Sequence, residues 1–258
     1  MDDVFRDALQ QHLAGQWSEA ERLYGDVLAA IPNHFEARHN LAYLHQQQGR
    51  HEQAAALFEQ AIAIRATPFA LANCALSLTA LRRLDDAAEA CRRASALDPG
   101  LFAAHNNLSW ALALLGRPEE AIESAEHAIA LDPAAAAPHA NKAMALAQLN
   151  RLDEAMAAYE EAARRDPFNP SIERDHALVL LRAGELRRGW QKYQQRFDAE
   201  PSVRDLFREF AGAVWTGTEP LQDRSMLVIS EQGHGDAIQF ARYLPMLAER
   251  GARVTFLV

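Results

Sequence analysis

Between Phe35 and Ile64, apolar residues recur at helical spacing in two successive stretches. Gly49 separates the two stretches. Small residues occupy the positions where the two helices would touch, and larger apolar residues surround them: Ala42, Ala54 and Ala61, with Leu41, Leu57, Phe58 and Ile62. Neither helix can bury its apolar stripe alone, so the pair requires copies of itself on both sides. The pattern therefore predicts an all-α superhelical solenoid of helix–turn–helix repeats.

The copies follow a period of 34 residues when Phe35 is numbered position 1 of its repeat. Position 15, between the helices, holds Gly15, Gly49, Arg82, Gly116, Asn150 and Gly184. Position 20 holds Ala20, Ala54, Ala87, Ala121, Ala155 and Gly189, and position 8 holds Ala8, Ala42, Ala75, Ser109, Ala143 and Ala177. Glycine and asparagine suit a left-handed turn, so Arg82 is expected to carry mild strain. The second repeat is one residue short, because Ala66 stands where proline is expected.

This register resembles the tetratricopeptide repeat family over residues 1–201, in six repeats. The resemblance implies a superhelix with a concave groove that binds proteins or extended peptides. Asp-Pro steps at 98–99, 132–133 and 166–167 are expected to end second helices, because proline disfavours helix in the preceding residue. Residues 202–225 are expected to form a capping helix and a linker.

The period changes in the last stretch of the chain. An apolar run at 226–230 suits a buried strand, residues 236–250 have helical periodicity, and residues 252–258 suit a second strand. A strand, a glycine-containing loop, a helix and a strand are the opening unit of a parallel α/β domain. We therefore expect residues 226–258 to begin a Rossmann-like lobe.

The segment from Ile229 to Val258 resembles the start of the glycosyltransferase-like domain that follows tetratricopeptide repeats in many bacterial proteins, and that domain is similar to family 9 heptosyltransferases of the GT-B fold. The resemblance implies a sugar or phosphate loop and a general base: Gly233, His234 and Gly235, with Asp236. Asp236 is equally explained as a carboxylate facing a helix N-terminus. A GT-B enzyme binds its nucleotide sugar mainly in a second lobe, so this chain alone is expected to lack transferase activity.

An asparagine ladder is the main candidate binding feature. Position 6 holds Asn40, Asn73, Asn107 and Asn141, with Arg6 before them and Asp175 after them. Asparagine is a poor helix former, and its amide has the donors and the acceptor that match a peptide backbone. The family resemblance places position 6 on the concave surface. The ladder is similar to that of the O-linked N-acetylglucosamine transferase superhelix. The alternative is that each amide bridges neighbouring backbone within the stack.

Residues beside the ladder would add side-chain contacts to a bound peptide. Position 9 holds Tyr43, Trp110 and Met144, and position 5 holds His39, Asn106 and Arg174. Aromatic residues and methionine are common binding anchors in a groove. Position 9 is equally explained as partly core, because other repeats have leucine there.

Net charge and cysteine content argue against several classes of function. The net charge of −9 argues against a general nucleic-acid or anionic-membrane binder, and no run of about 18 apolar residues predicts a membrane span. No secretory signal is apparent, so a cytoplasmic location is expected. Cys74 and Cys91 are expected to be buried and free, and no metal site or cofactor is expected. Surface positions are expected for His34, His45, His51 and His127.

Three functions remain open on these grounds. The preferred one is a protein- or peptide-binding scaffold in a parent protein that is glycosyltransferase-like. The second is an inverting, nucleotide-sugar-dependent transferase whose repeats bind the acceptor. The third is a self-assembling repeat protein, with strands 226–230 and 254–258 pairing between chains.

Overall fold

The computed structural model describes residues 1–193, 215, 219–229 and 241–257. Contacts divide the chain into two compact units, Met1–Gln195 and Arg196–Val258. The expected capping helix, the loop of residues 231–236 and most of the linker lie outside the described residues. The two units are therefore described separately.

Twelve helices in consecutive pairs make up the described part of the first unit. They are α1 (Asp2–Leu13), α2 (Trp17–Ala30), α3 (Phe35–Gln47), α4 (His51–Ile64), α5 (Pro68–Ala80), α6 (Leu84–Leu97), α7 (Phe102–Leu114), α8 (Pro118–Leu131), α9 (Ala137–Gln148), α10 (Leu152–Arg165), α11 (Pro170–Arg182) and α12 (Leu186–Tyr193). Each pair corresponds to one predicted repeat, so the expected all-α solenoid is confirmed.

Small residues form the contact surface inside every repeat. All six residues at position 8 are fully buried, and so are the five alanines at position 20. The sixth repeat has Gly189 there, and a Cβ on this residue would approach the Leu181 Cδ2 to 2.7 Å and its backbone nitrogen to 3.1 Å. Glycine therefore replaces alanine in α12 because Leu181 occupies the space that a methyl group needs.

The turn inside each repeat has the left-handed conformation that the sequence predicted. Position 15 has a positive φ in all six repeats, between 59° and 85°. Arg82 and Asn150 adopt this conformation with φ of 61° and 59°. An L-residue with a Cβ pays about 1 kcal/mol for it, whereas glycine does not. Arg82 is therefore a local source of strain in the third repeat.

The shortened second repeat loses its residue from the loop between helices. Three residues, Arg65 to Thr67, connect α4 to α5, whereas four connect α2 to α3 and α6 to α7. The Thr67 hydroxyl accepts a hydrogen bond from the Ala70 backbone N–H at 3.2 Å, and Pro68 occupies the first turn of α5. A side-chain cap and a proline at the first helical position thus start α5 without the missing residue.

First helices lie on the inner side of the solenoid curve. Successive first helices touch one another, most extensively α5 with α7 and α7 with α9. Successive second helices make no comparable contact within the described repeats. Because the inner side of a curved stack is the side where like elements approach most closely, the first helices line the concave face.

Several histidines are buried within the stack. His45 is 7% exposed and faces Glu21 of α2, so the expectation that it lies on the surface is wrong. Burial lowers the pKa of His45, His139 and His176, and no described residue hydrogen-bonds either ring nitrogen of His176. Protonation of these rings therefore favours the unfolded chain as the pH falls below 6.5, their ordinary pKa.

The second unit contains a parallel strand pair. Strand β1 (Ser225–Ile229) pairs with β2 (Arg253–Leu257) in the register Ser225 with Arg253 through Ile229 with Leu257. Helix α13 (Leu244–Glu249) precedes β2, and Gly251 ends it with a φ of 92°. Both strands were expected from the sequence, and residues 230 and 258 lie outside the described part of the chain.

A reciprocal exchange at position 15 tests the strain at Arg82. Arg82→Gly should raise the free energy of unfolding by about 1 kcal/mol, because glycine adopts a positive φ without steric cost. Gly116→Arg in the next repeat should lower the free energy of unfolding by about 1 kcal/mol, the cost of a positive φ for a residue with a Cβ. A Cβ at Gly116 would have no neighbour within 4 Å, so no steric clash adds to this cost. Urea unfolding followed by circular dichroism measures both. The explanation is contradicted if both substitutions change the free energy of unfolding in the same direction.

Candidate functional site: the concave face of the repeats

One stripe of each first helix faces the inner side of the solenoid. Positions 2, 6, 9 and 13 are three or four residues apart, so they share one helix face. All four ladder asparagines are half-buried, so part of each residue is accessible to solvent. The register therefore brings Asn40, Asn73, Asn107 and Asn141 onto one line across four neighbouring helices.

Two ladder amides bond directly to the preceding first helix. The Asn107 Nδ2 donates to the Ala72 carbonyl at 3.1 Å. The Asn141 Nδ2 lies 3.2 Å from the Asn106 carbonyl and 2.9 Å from the Ser109 Oγ. An amide NH2 has two hydrogens, so Asn141 can satisfy two acceptors at once. Bridging within the stack, the alternative use of the ladder, is thus present at these two positions.

The other two asparagines differ from this pattern. The Asn40 side chain lies near the hydroxyl of Tyr24 of α2, and burial raises the pKa of that hydroxyl to about 12. The Asn73 side chain has no hydrogen bond to any described residue. Its backbone carbonyl accepts a hydrogen bond from the Gln46 Nε2 at 2.7 Å. Gln46 therefore links the second and third repeats and leaves the Asn73 amide available to a ligand.

Glutamines in the stack were missed by the sequence reasoning. The Gln46 Nε2 also lies 2.7 Å from the Ser77 Oγ, and the Gln148 Nε2 donates to the Ala113 carbonyl at 2.8 Å. Both residues stand near the end of a first helix, where an amide reaches the neighbouring first helix. The sequence did contain a signal for these bonds, because a glutamine at an otherwise apolar helix contact requires a hydrogen-bond partner on the neighbouring helix.

The position 9 side chains lie beside the ladder as expected, with different exposure. Tyr43 is 41% exposed, whereas Trp110 and Met144 are half-buried. Met144 also packs against the core formed by α3 to α9. Position 9 therefore serves both the core and the groove surface, which were the two interpretations left open by the sequence.

The position 5 residues have partners within the protein. The His39 ring lies between Phe35 and Phe58, with centroids 5.8 Å and 5.4 Å away, and burial lowers its pKa. The Arg174 Nε donates to the Asp175 Oδ1 at 2.9 Å. These contacts fix His39 and Arg174 in place, and Asn106 accepts the Asn141 amide.

A pocket of about 540 Å³ lies where the fourth to sixth repeats meet the groove. Alanines and Phe102 supply most of its apolar lining, and its polar lining includes the ladder residue Asn141 and the charged residues Arg165, Asp166 and Asp175. The small alanine side chains leave room for a backbone to approach closely. The ladder thus ends in a depression rather than on a flat surface.

Residues 11–73 match one model of the tetratricopeptide repeat, and residues 74–136 and 115–170 match another. Together the matches span residues 11–170 of the 258, more than half of the chain. The chain belongs to the tetratricopeptide repeat family. This fold suggests a scaffold for protein–protein interaction. No curated protein sequence matches the chain.

Several solved structures share the fold at low sequence identity. YrrB, described as having an unusual peptide-binding site, is 17% identical with a TM-score of 0.59, over 71% of this chain and 91% of its own. A repeat protein from Parabacteroides merdae is 14% identical with a TM-score of 0.65, over 76% and 78%. Cut9 with Hcn1 from the APC/C is 19% identical with a TM-score of 0.67, over 81% and 42%.

Other classes of site are absent from the described part of this tetratricopeptide repeat protein. No described helix is long and apolar enough to cross a membrane. Nor do three or more metal-ligating side chains converge among those residues. Cys74 and Cys91 are buried and free, as expected, and burial raises the pKa of both thiols to about 12.

The two kinds of ladder residue should differ in their effect on stability. Asn141→Ala should lower the free energy of unfolding by about 1 to 2 kcal/mol, because it removes the amide that bonds the preceding repeat. Asn73→Ala removes an amide without such bonds, and it changes helix propensity by the same amount, so it is the matched control. Urea unfolding gives the free energy of unfolding of both variants. If the two substitutions lower it equally, the hydrogen bonds of Asn141 within the stack do not contribute to stability.

Proposed function

We propose that this tetratricopeptide repeat protein binds an extended segment of a partner protein along the concave face of its first helices. The single observation that carries the proposal is the line of half-buried amides at Asn40, Asn73, Asn107 and Asn141. Packed helices lie about 8 to 10 Å apart, which is about three residues of extended chain. Successive rungs therefore suit every third peptide unit of a bound segment.

The bonds within the stack are compatible with this role. The described hydrogen bonds of Asn141 use its Nδ2, and no described residue donates to its Oδ1. An asparagine oxygen accepts two hydrogen bonds, so it can hold a backbone N–H of the partner. The stack bonds also fix the amide orientation before binding, which lowers the entropic cost of association.

Side chains along the groove supply apolar contact area beside the amides. Tyr43, Trp110 and Met144 lie one helical turn from Asn40, Asn107 and Asn141. Aromatic and methionine side chains add adaptable surface at low entropic cost. YrrB supports the proposal only by analogy, because its similarity to this chain is limited to the fold.

The ladder is tested with a peptide obtained by selection. A phage library of random peptides about twelve residues long, which spans the roughly 30 Å between the outer rungs, is selected on the 258-residue chain. Asn73→Ala should weaken binding of the selected peptide about fivefold, the effect of one hydrogen bond. Fluorescence anisotropy of the labelled peptide gives the affinity.

The matched control is Asn33→Ala, which removes an exposed amide from the loop between α2 and α3. It should leave the affinity unchanged. The ladder hypothesis fails if Asn73→Ala and Asn33→Ala bind the peptide equally well, and the scaffold function itself fails if no peptide is selected.

A glycosyltransferase-like parent is the second candidate, and the parallel pairing of β1 with β2 favours it. Parallel strands joined through a helix begin α/β lobes of the kind that the sequence resembles. In this proposal the repeats recruit the acceptor and Asp236 takes the proton of its hydroxyl. Asp236 and the loop Gly233–Gly235 lie outside the described residues.

Sugar transfer by the protein from the complete reading frame tests this second candidate. Asp236→Asn should abolish transfer from a nucleoside-diphosphate sugar while calorimetry still detects binding of that sugar. Glu249→Gln, at an exposed residue of α13, is the control and should leave transfer unchanged. Equal transfer by the two variants would exclude Asp236 as the base.

A further inference from the structure

Charge is distributed unequally between the two helices of the central repeats. Helix α5 has no lysine, arginine, aspartate or glutamate, α7 has none either, and α9 has Lys142 alone. Helices α6, α8 and α10 each carry four or more such residues. The single charge on α9 is directed away from the groove stripe, because the Lys142 Nζ lies 2.7 Å from the Glu126 Oε1 of α8.

The groove stripe of these three helices is uncharged and accessible. It consists of positions 2, 6, 9 and 13: Phe69, Asn73, Leu76 and Ala80 of α5, Ala103, Asn107, Trp110 and Leu114 of α7, and Ala137, Asn141, Met144 and Gln148 of α9. None of the twelve residues is fully buried. Phe69 is the largest exposed side chain of the stripe, at 61% exposure.

The rest of α5 and α7 already packs into the protein. The sides of α5 away from the stripe contribute Leu71, Cys74, Ala75 and Leu78 to the core, and α7 contributes Leu108 and Leu112. A helix that is apolar all round is one whose whole surface is covered. In α5 every residue outside the stripe except Pro68 is buried, and in α7 Phe102, His105 and Asn106 are half-buried beside the stripe. The stripe is therefore an accessible face of both helices, and its uncharged composition is that of an interface core.

Charge complementarity defines what can cover the stripe. A charged partner side chain would lose its hydration there and find no opposite charge among the twelve residues, which disfavours its binding. An uncharged side chain loses little hydration and buries apolar area against Phe69, Leu76 and Trp110. A helical partner would leave the ladder amides unmatched, because its backbone groups bond one another.

We propose that the groove occupant is an extended segment with uncharged side chains, held through its backbone by the amides and through its apolar side chains by the stripe. This inference rests on the proposed function and adds the chemistry of the partner to it. Binding is then driven by apolar burial and hydrogen bonding, so it is nearly independent of ionic strength.

The same phage selection tests the inference through the composition of its products. Selected peptides should contain fewer lysine, arginine, aspartate and glutamate residues than the unselected library. Replacing two central residues of a selected peptide by lysine, or by glutamate, should each weaken binding at least about tenfold. The affinity of the parent peptide should change less than about twofold between roughly 50 mM and 500 mM NaCl.

Two exposed phenylalanines provide matched variants of the protein. Phe69→Glu places a charge in the stripe and should lower the affinity for the selected peptide at least about tenfold. Phe168→Glu makes the same change at a residue that is 92% exposed and outside the stripe, so it should have no effect. Both sites are exposed, and circular dichroism confirms that each variant folds.

The outcomes separate this inference from the proposed function. Selection of lysine-rich or glutamate-rich peptides whose affinity falls with salt would overturn the inference and leave a peptide-binding scaffold. Selected peptides that are helical when bound, by circular dichroism, would overturn the extended conformation. Failure to select any peptide would overturn the scaffold function and the inference together.

Discussion

Close contact between the two helices of each repeat is the constraint on which the molecule depends. Every residue at position 8 is fully buried, and position 20 holds alanine in five repeats and glycine in the sixth. A larger side chain at either position would push the helices apart and shift every later repeat, because the repeats stack in series. Gly189 shows how strict the limit is, since even a methyl group would collide with Leu181.

A second constraint is the polar link between neighbouring first helices. Amides of Gln46, Asn107, Asn141 and Gln148 reach backbone carbonyls of the adjacent first helix. These bonds fix the spacing of the first helices and hence the curvature of the groove. Gln46 is buried, whereas Asn107, Asn141 and Gln148 also belong to the groove stripe, so three of the residues that hold the stack together also form the candidate binding surface. Such double use is consistent with a pre-organised site.

The separation of charge between inner and outer helices links the solenoid to its proposed ligand. The second helices of the central repeats carry most of the charge there, and their first turns form ion pairs with the preceding arginines, such as Glu120 with Arg117 and Glu154 with Arg151. These exposed pairs contribute little stability. Their position on the outer helices keeps the protein hydrated there and leaves the inner helices free to offer apolar and amide groups to a partner.

Local features of the fold could be predicted from the sequence because they depend on neighbouring residues. The left-handed turns at position 15, the loop shortened at Ala66 and the small residues at positions 8 and 20 all follow from chain geometry and side-chain volume. The ladder at Asn40, Asn73, Asn107 and Asn141 was equally apparent from its period, and the structure places all four on one face of the first helices.

The tertiary structure alone decided which partner each of these residues has. It placed the Asn141 amide on the Asn106 carbonyl, left the Asn73 amide without a described partner, and buried His45 against the preceding repeat. It also left Phe69 exposed in the groove. The sequence by itself determined which residues recur at each position of the repeat. Partners and exposure depend on how neighbouring repeats meet, and that distance and angle are set by packing between residues about 34 positions apart.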